Sequence, residues 1–134
     1  MAYWLVKSDP DAYSWKEMKK DKSTPWDGVR NYQARNNLKE MENGDEVLFY
    51  HSVQGKEVVG ITEVTKEFFQ DPTTDDDRWV AVELTYKDEF KNPVTLDAVK
   101  NEKSLQEIAL IKQSRLSVMP LTKKEFDKIV KMGK

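Results

Sequence analysis

The 134 residues contain no cysteine. Disulfides and thiolate metal centres are excluded, and the absence fits a reducing cytoplasm. There is one histidine, His51, so no pair of imidazoles can ligate a metal. Glycines and prolines number five each. They form no glycine-rich phosphate loop and no Gly-x-Ser-x-Gly elbow. Long apolar runs are missing too. The opening Met1–Lys7 reads at once as a strand, too short for a secretory h-region, and no stretch is long enough to span a bilayer. Net charge is −2, which argues against holding long duplexes by bulk electrostatics. The expectation is one cytoplasmic domain over residues 1–134, with no cofactor, no metal and no membrane. Nothing in the chain signals an oligomeric state.

The small net charge is unevenly spread. Acidic residues dominate from Glu63 to Glu89, and basic ones from Lys112 to Lys134. Asp71, Asp75, Asp76 and Asp77 lack the ordered spacing and terminal glutamate of an EF-hand, so a solvated acidic loop is expected there. His51 and Ser52 cannot work as a dyad within one strand, because adjacent side chains point to opposite faces. A structural or pocket-lining histidine is expected instead.

Strands and short helices alternate without a βαβ rhythm. Tyr3–Val6 reads as a buried strand. Ser14–Glu17 is a capping box that opens a helix, and Thr24–Pro25 breaks the chain. Asn31 caps a second helix through about Glu42, with Ala34, Leu38 and Met41 on one face. Asn43-Gly44-Asp45 ends it. Glu46–Ser52, Glu57–Val64 and Arg78–Tyr86 are strands. In the last of these Val80, Val82, Leu84 and Tyr86 share one face, leaving Trp79 on the other. Thr95 caps a short helix through Val99. Ser104–Glu107 and Thr122–Glu125 are further capping boxes, and Leu116–Met119 is a short strand ended by Pro120. This order predicts an α+β fold with a strongly bent sheet or small barrel flanked by helices.

One run stands apart. Trp26-Asp27-Gly28-Val29-Arg30-Asn31-Tyr32-Gln33-Ala34-Arg35-Asn36-Asn37-Leu38 places an aromatic ring beside a glycine turn, then arginines, amides and a tyrosine. These groups can stack on a base, bond its edge and hold a phosphate. Trp4 and Trp15 sit where core packing is expected. Trp26, at the mouth of a loop, and Trp79, opposite its strand's apolar row, suit either packing or a base platform. Arg30 and Arg35 flank a helix start. They can grip a phosphate bidentately or form surface ion pairs, such as Arg30 with Asp27.

The same run resembles the signature of the EVE domain, a PUA-like module related to YTH readers of methylated RNA. Tyr3–Pro10, Gly44–Ser52, Val58–Val64, Asp71-Pro72-Thr73, Pro93–Leu96, Arg115–Val118 and Phe126–Val130 resemble further stretches of that family in the same order. The resemblance implies a PUA-like curved, barrel-like sheet with short helices and a pocket at one side. It implies pocket positions at Lys7, Ser8, Trp26, Asn31, Tyr32, Arg35, Tyr50, His51, Ser52 and Ser117. Asp9 stands where the family usually has glutamate. The stretch from Thr73 to Arg78 is shorter than in many relatives.

The partner implied is DNA or RNA carrying a modified base: methylated or hydroxymethylated cytosine, or N6-methyladenine. Trp26, helped by Trp79 or Tyr50, would stack on the base. Ser8 or Asn31 would read its edge, and Arg30 and Arg35 would hold phosphate. Two alternatives compete with this reader. One is a binder of a small nucleotide-like ligand or structured RNA. The other is a nucleic-acid-modifying enzyme, for which only His51 or an acid such as Asp27 offers a catalytic group.

Overall fold

Short apolar runs and alternating stretches build one sheet. A computed structural model describes residues 1–134 and contains six strands: β1 (Tyr3–Ser8), β2 (Ser23–Trp26), β3 (Glu46–His51), β4 (Glu57–Gln70), β5 (Val80–Thr95) and β6 (Val118–Leu121). The helices are α1 (Trp15–Asp21), α2 (Tyr32–Glu40), α3 (Leu96–Lys100), α4 (Ala109–Lys112) and α5 (Lys123–Met132). None is long and apolar enough to cross a membrane.

The strand order is β2-β5-β4-β3-β1-β6. β1 and β3 run parallel; every other neighbouring pair is antiparallel. Register shifts break the β3–β4 ladder at Phe49/Tyr50 and recur along β4–β5. Such bulges bend a strand and increase its twist. The sheet curls so far that β1 and β2, four places apart in the order, line a common cleft. It does not close into the barrel that the sequence suggests as one form: β2 and β6 remain its two edges. Helix α2 packs against β6, β5 and β4 and so spans the gap. Its face of Ala34 and Leu38, with Met41 just beyond, is buried, as the spacing predicts.

Local signals at the helix starts hold. Ser14 and Thr122 each form a reciprocal capping box with a glutamate three residues on. The side chains of Asn31 and Thr95 accept from the backbone N–H of Ala34 and Ala98. Each cap is worth roughly 1 kcal/mol. At the start of the chain, buried Asp45 accepts hydrogen bonds from Ala2 N, Trp4 Nε1 and Glu42 N, tying β1 to the turn before β3.

Four expectations need correction. Thr24–Pro25 is no break but part of β2, an edge strand, where a proline can lack its N–H at no cost to the ladder. Pro120 does not end β6; it pairs opposite Trp4 at the other edge. Ser104–Glu107 opens no helix: Lys103–Leu105 is a 3-10 turn, and α4 follows without a side-chain cap. Strands β4 and β5 overrun their expected ends to Gln70 and Thr95. Their distal halves are largely exposed, so no apolar alternation marks them in the sequence.

Gly60 of β4 lies under the Trp15 indole. A Cβ there would come within 2.5 Å of Trp15 Cη2 and 2.6 Å of the Asp88 carbonyl oxygen. Gly60→Ala should therefore lower stability by roughly 1–3 kcal/mol through overpacking. Urea unfolding checks this, and a midpoint equal to the parent's would contradict it.

Candidate functional site

The cleft between the ends of β1 and β2 has a volume of about 610 Å³, within the roughly 300–1,000 Å³ of small-ligand pockets. One wall is the end of β1 with the residues before β6: Lys7, Ser8 and Ser117. The loop after β1 adds Asp9, Ala12 and Tyr13. The opposite wall is β2 and the turn beyond it, from Thr24 to Val29.

Trp26 is the last residue of β2 and is 8% exposed. Its ring meets Phe49 edge-on at 5.5 Å and Tyr13 edge-on at 6.4 Å. It is thus both cleft wall and core, so the two readings left open in the sequence do not exclude each other. Tyr13 donates its hydroxyl to Asp21 at 2.9 Å. Burial, and then that acid, push its pKa up to about 12.

The turn beyond Trp26 is held from behind by Asp71, whose side chain is fully buried. One carboxylate oxygen accepts from Gly28 N at 2.8 Å and Arg30 NH1 at 2.9 Å. The other accepts from Thr73 N at 2.7 Å and Thr73 Oγ1 at 2.6 Å. Burial alone would raise its pKa. The donors of Thr73, Arg30 and Gly28 outweigh burial and hold it at about 2. Asp71 is therefore no solvated acid, and Arg30 pairs with it rather than with Asp27. Gly28, at φ +78°, gives the turn a conformation that a residue with a Cβ rarely adopts.

Polar groups in the cleft are partly engaged. Lys7 Nζ donates to Ser114 O at 2.8 Å, and burial lowers its pKa. Ser8 Oγ donates to Tyr13 O. Thr24 Oγ1 donates to Pro25 O. The Asp27 carboxylate accepts from no other residue. Its pKa is raised, by burial first and then by nearby Asp71.

Of the anticipated residues, the structure brings Lys7, Ser8, Trp26 and Ser117 together around this cleft. The others lie outside its lining. Asn31 caps α2. Tyr50 is buried in the core. His51 Nε2 accepts from Trp15 N at 2.9 Å, which satisfies a free N–H at the start of α1. That role needs a neutral ring, and burial lowers its pKa accordingly. Ser52 N donates to Ser8 O.

Tyr32 and Trp79 form a second, outer group: their rings stack at 5.2 Å. Arg35 lies over Tyr32 at 5.0 Å, with Arg30 and Arg78 over Trp79. Tyr32 is 51% exposed. Arg30 is paired with Asp71 and Arg78 with Asp76. Arg35 bonds only neutral groups, Asn36 Oδ1 and the Arg78 carbonyl.

The sequence reading missed Asp71 as an organiser and Tyr13 as a cleft residue, and considered Asp27 only as a partner for Arg30 or as a catalytic acid of the enzyme alternative. Asp71-Pro72-Thr73 carried a usable signal, since Asp followed two residues later by Thr is a side-chain turn pattern. Its long-range partner Gly28 carried none.

With the geometry in view, comparison decides the family. The EVE domain family matches residues 2–132. The chain belongs to it. Mouse thymocyte nuclear protein 1 is 34% identical over an alignment of 164 positions, gaps included, covering 97% of this chain and 73% of that protein. The solution structure of Rpa0253 from Rhodopseudomonas palustris matches with a TM-score of 0.94 at 44% identity, covering 99% of this chain and 93% of that one. Human THYN1, solved in complex with DNA containing 5-methylcytosine, matches with a TM-score of 0.92 at 29% identity, covering 100% and 98%. The EVE fold seen here is PUA-like α+β, with a curled but unclosed sheet.

Asp71→Asn should cost roughly 2–3 kcal/mol at neutral pH, the linkage value for a carboxylate held at about 2 against roughly 3.9 when unfolded. The folded pKa is depressed, so this stabilisation is complete above about pH 4 and is lost as pH falls towards 2. The stability gap between parent and variant, measured by urea unfolding, should be constant from pH 5 to 7 and shrink below pH 4. A gap that widens in acid would contradict the assignment.

Proposed function

We propose that this EVE domain is a reader, not an enzyme, which receives a modified base of DNA or RNA in the cleft between β1 and β2. The observation that carries this is the lining. The aromatic rings of Trp26 and Tyr13 and the polar side chains of Lys7, Ser8 and Ser117 line one cleft, in a relative of a protein solved with 5-methylcytosine DNA.

A base within a duplex cannot reach such a cleft. It must be extruded or already single-stranded. Contact with the Trp26 ring would supply roughly 1–3 kcal/mol of stacking whatever the base. Arg35, bonded only to neutral groups, is the cation suited to a flanking phosphate. Arg30 and Arg78 already have carboxylate partners. One methyl group in an apolar niche adds only roughly 1–3 kcal/mol of selectivity. His51 supports reading over catalysis, because it is committed as a neutral acceptor at α1, outside the cleft.

Titration of single-stranded oligonucleotides carrying one 5-methylcytosine or one cytosine tests this reading. The methylated strand should bind roughly tenfold tighter or more, and the base should be recovered unchanged by mass spectrometry. Absence of binding to any oligonucleotide would overturn the proposal. Free nucleosides binding as tightly as strands would turn it into a small-ligand site.

Few phosphates should be neutralised. The dependence of log K on log salt should be shallow, roughly −0.7 for each contact on single strands. Arg35→Gln should leave the melting temperature unchanged, weaken all strands alike and flatten that slope by about one contact. A steep slope in the parent, or a sequence-dependent effect of Arg35→Gln, would contradict the assignment of phosphate to Arg35.

A further inference from the structure

The donors and acceptors around the cleft are not balanced. Several donors are already committed: Ser8 Oγ to Tyr13 O, Thr24 Oγ1 to Pro25 O, Tyr13 OH to Asp21, and Gly28 N to Asp71. Asp9, the other acid in the lining, already accepts from Asp11 N. Asp27 is different. It sits between the Trp26 wall and the Gly28 turn, lines the cleft, and accepts nothing from any other residue. An ionised carboxylate has only acceptors to offer. Elsewhere in the lining, the Lys7 ammonium keeps donors beyond the one bonded to Ser114, and the Ser117 hydroxyl has no side-chain partner.

Nucleobases answer such a pattern unequally. Cytosine and adenine present an exocyclic amino donor beside a ring-nitrogen acceptor. Thymine and uracil present a carbonyl acceptor beside a ring N–H donor. A carboxylate facing an amino group gains a charge-assisted hydrogen bond, whereas one facing a carbonyl is repelled and must shift to reach the adjoining ring N–H. A site built to bond one polar edge rejects the analogue that lacks it far more strongly than an apolar niche rejects a missing methyl.

Resting on the reader function proposed above, we infer that Asp27 is the specificity-determining residue of the cleft and selects bases with an amino group at pyrimidine position 4 or purine position 6, cytosine or adenine, over those with a carbonyl there. Position on the chain agrees with the role. Asp71 clamps the neighbouring Gly28 backbone from behind, so the turn that carries Asp27 is fixed before any ligand arrives. Asp27 itself is exposed, so its carboxylate is open to a ligand that enters the cleft.

The decisive pair of probes is 5-methylcytosine and thymine. Both carry a 5-methyl group, and the rings differ in the amino or carbonyl group at position 4 and the adjoining nitrogen. Single-stranded oligonucleotides identical except for that one base should bind the parent protein with a difference of tenfold or more in favour of 5-methylcytosine. Asp27→Asn, whose amide can turn to donate as well as accept, should bring the two within about threefold, chiefly by gaining thymine. Asp27→Glu should keep the preference in the same direction. Equal binding of the two strands by the parent would overturn this inference and leave the reader function standing. So would a preference that survives Asp27→Asn undiminished. Failure of the parent to bind either strand would overturn the reader function itself. The parent comparison needs no substitution, so a variant that fails to fold does not remove the test.

Discussion

The carboxylate of Asp71 is the constraint on which the cleft depends. It is buried and receives four donors: two from Thr73 beside it, and two from Gly28 and Arg30 more than forty residues away. A buried charge is tolerable only when hydrogen-bonded and paired. Here its satisfaction requires that the turn after β2 lie against the loop after β4. That turn is the cleft's second wall. Trp26 is held from the other side by Phe49 in the middle of β3. Between these two anchors Asp27, Gly28 and Val29 have little freedom, so the wall is organised by the fold and not by a ligand.

The cleft itself follows from a sheet that curls without closing. Bulges in β3–β4 and along β4–β5 bring the two ends of the order round towards each other. β2 and β6 stay unpaired with one another. Helix α2 covers part of the opening, and the remainder is the cleft. Both edges carry a proline, Pro25 and Pro120, which blunts them against pairing with another chain. The EVE run Trp26–Leu38 thereby does several jobs in order. It completes an edge strand, makes the turn, bonds Asp71 and starts α2, with Arg35 left bonded only to neutral groups.

Much of this architecture was legible where a residue's role is local. Caps at Ser14, Asn31, Thr95 and Thr122 are read from a side chain and a backbone group three residues on, and each is present. The apolar spacing of α2 was visible for the same reason. The ends of β4 and β5 were not visible, because exposed strand pairs carry no alternation. In the candidate site, Lys7, Ser8, Trp26 and Ser117 of the implied set line the cleft. The remainder of the implied set does not line it. Asn31 and His51 satisfy helix N-termini, and Tyr50 packs in the core. A motif marks residues that the fold needs as well as those that touch a ligand, and spacing alone does not separate them. Asp71 escaped notice because four aspartates in one acidic stretch look alike. Only the tertiary approach of Gly28 and Arg30 sets one of them apart.

The central claim is that a modified base enters the cleft between β1 and β2. Amide chemical-shift mapping tests it most directly, with a single-stranded oligonucleotide carrying one 5-methylcytosine titrated into isotopically labelled protein. The account predicts that the largest perturbations fall on Lys7, Ser8, Tyr13, Asp27, Gly28 and Ser117, together with the Trp26 indole N–H. The smaller depression around Ile61, Phe90 and Gly133, which shares no lining residue with the cleft, should stay unperturbed. Perturbations centred on that depression, or on the Tyr32–Trp79 stack with the cleft silent, would contradict it.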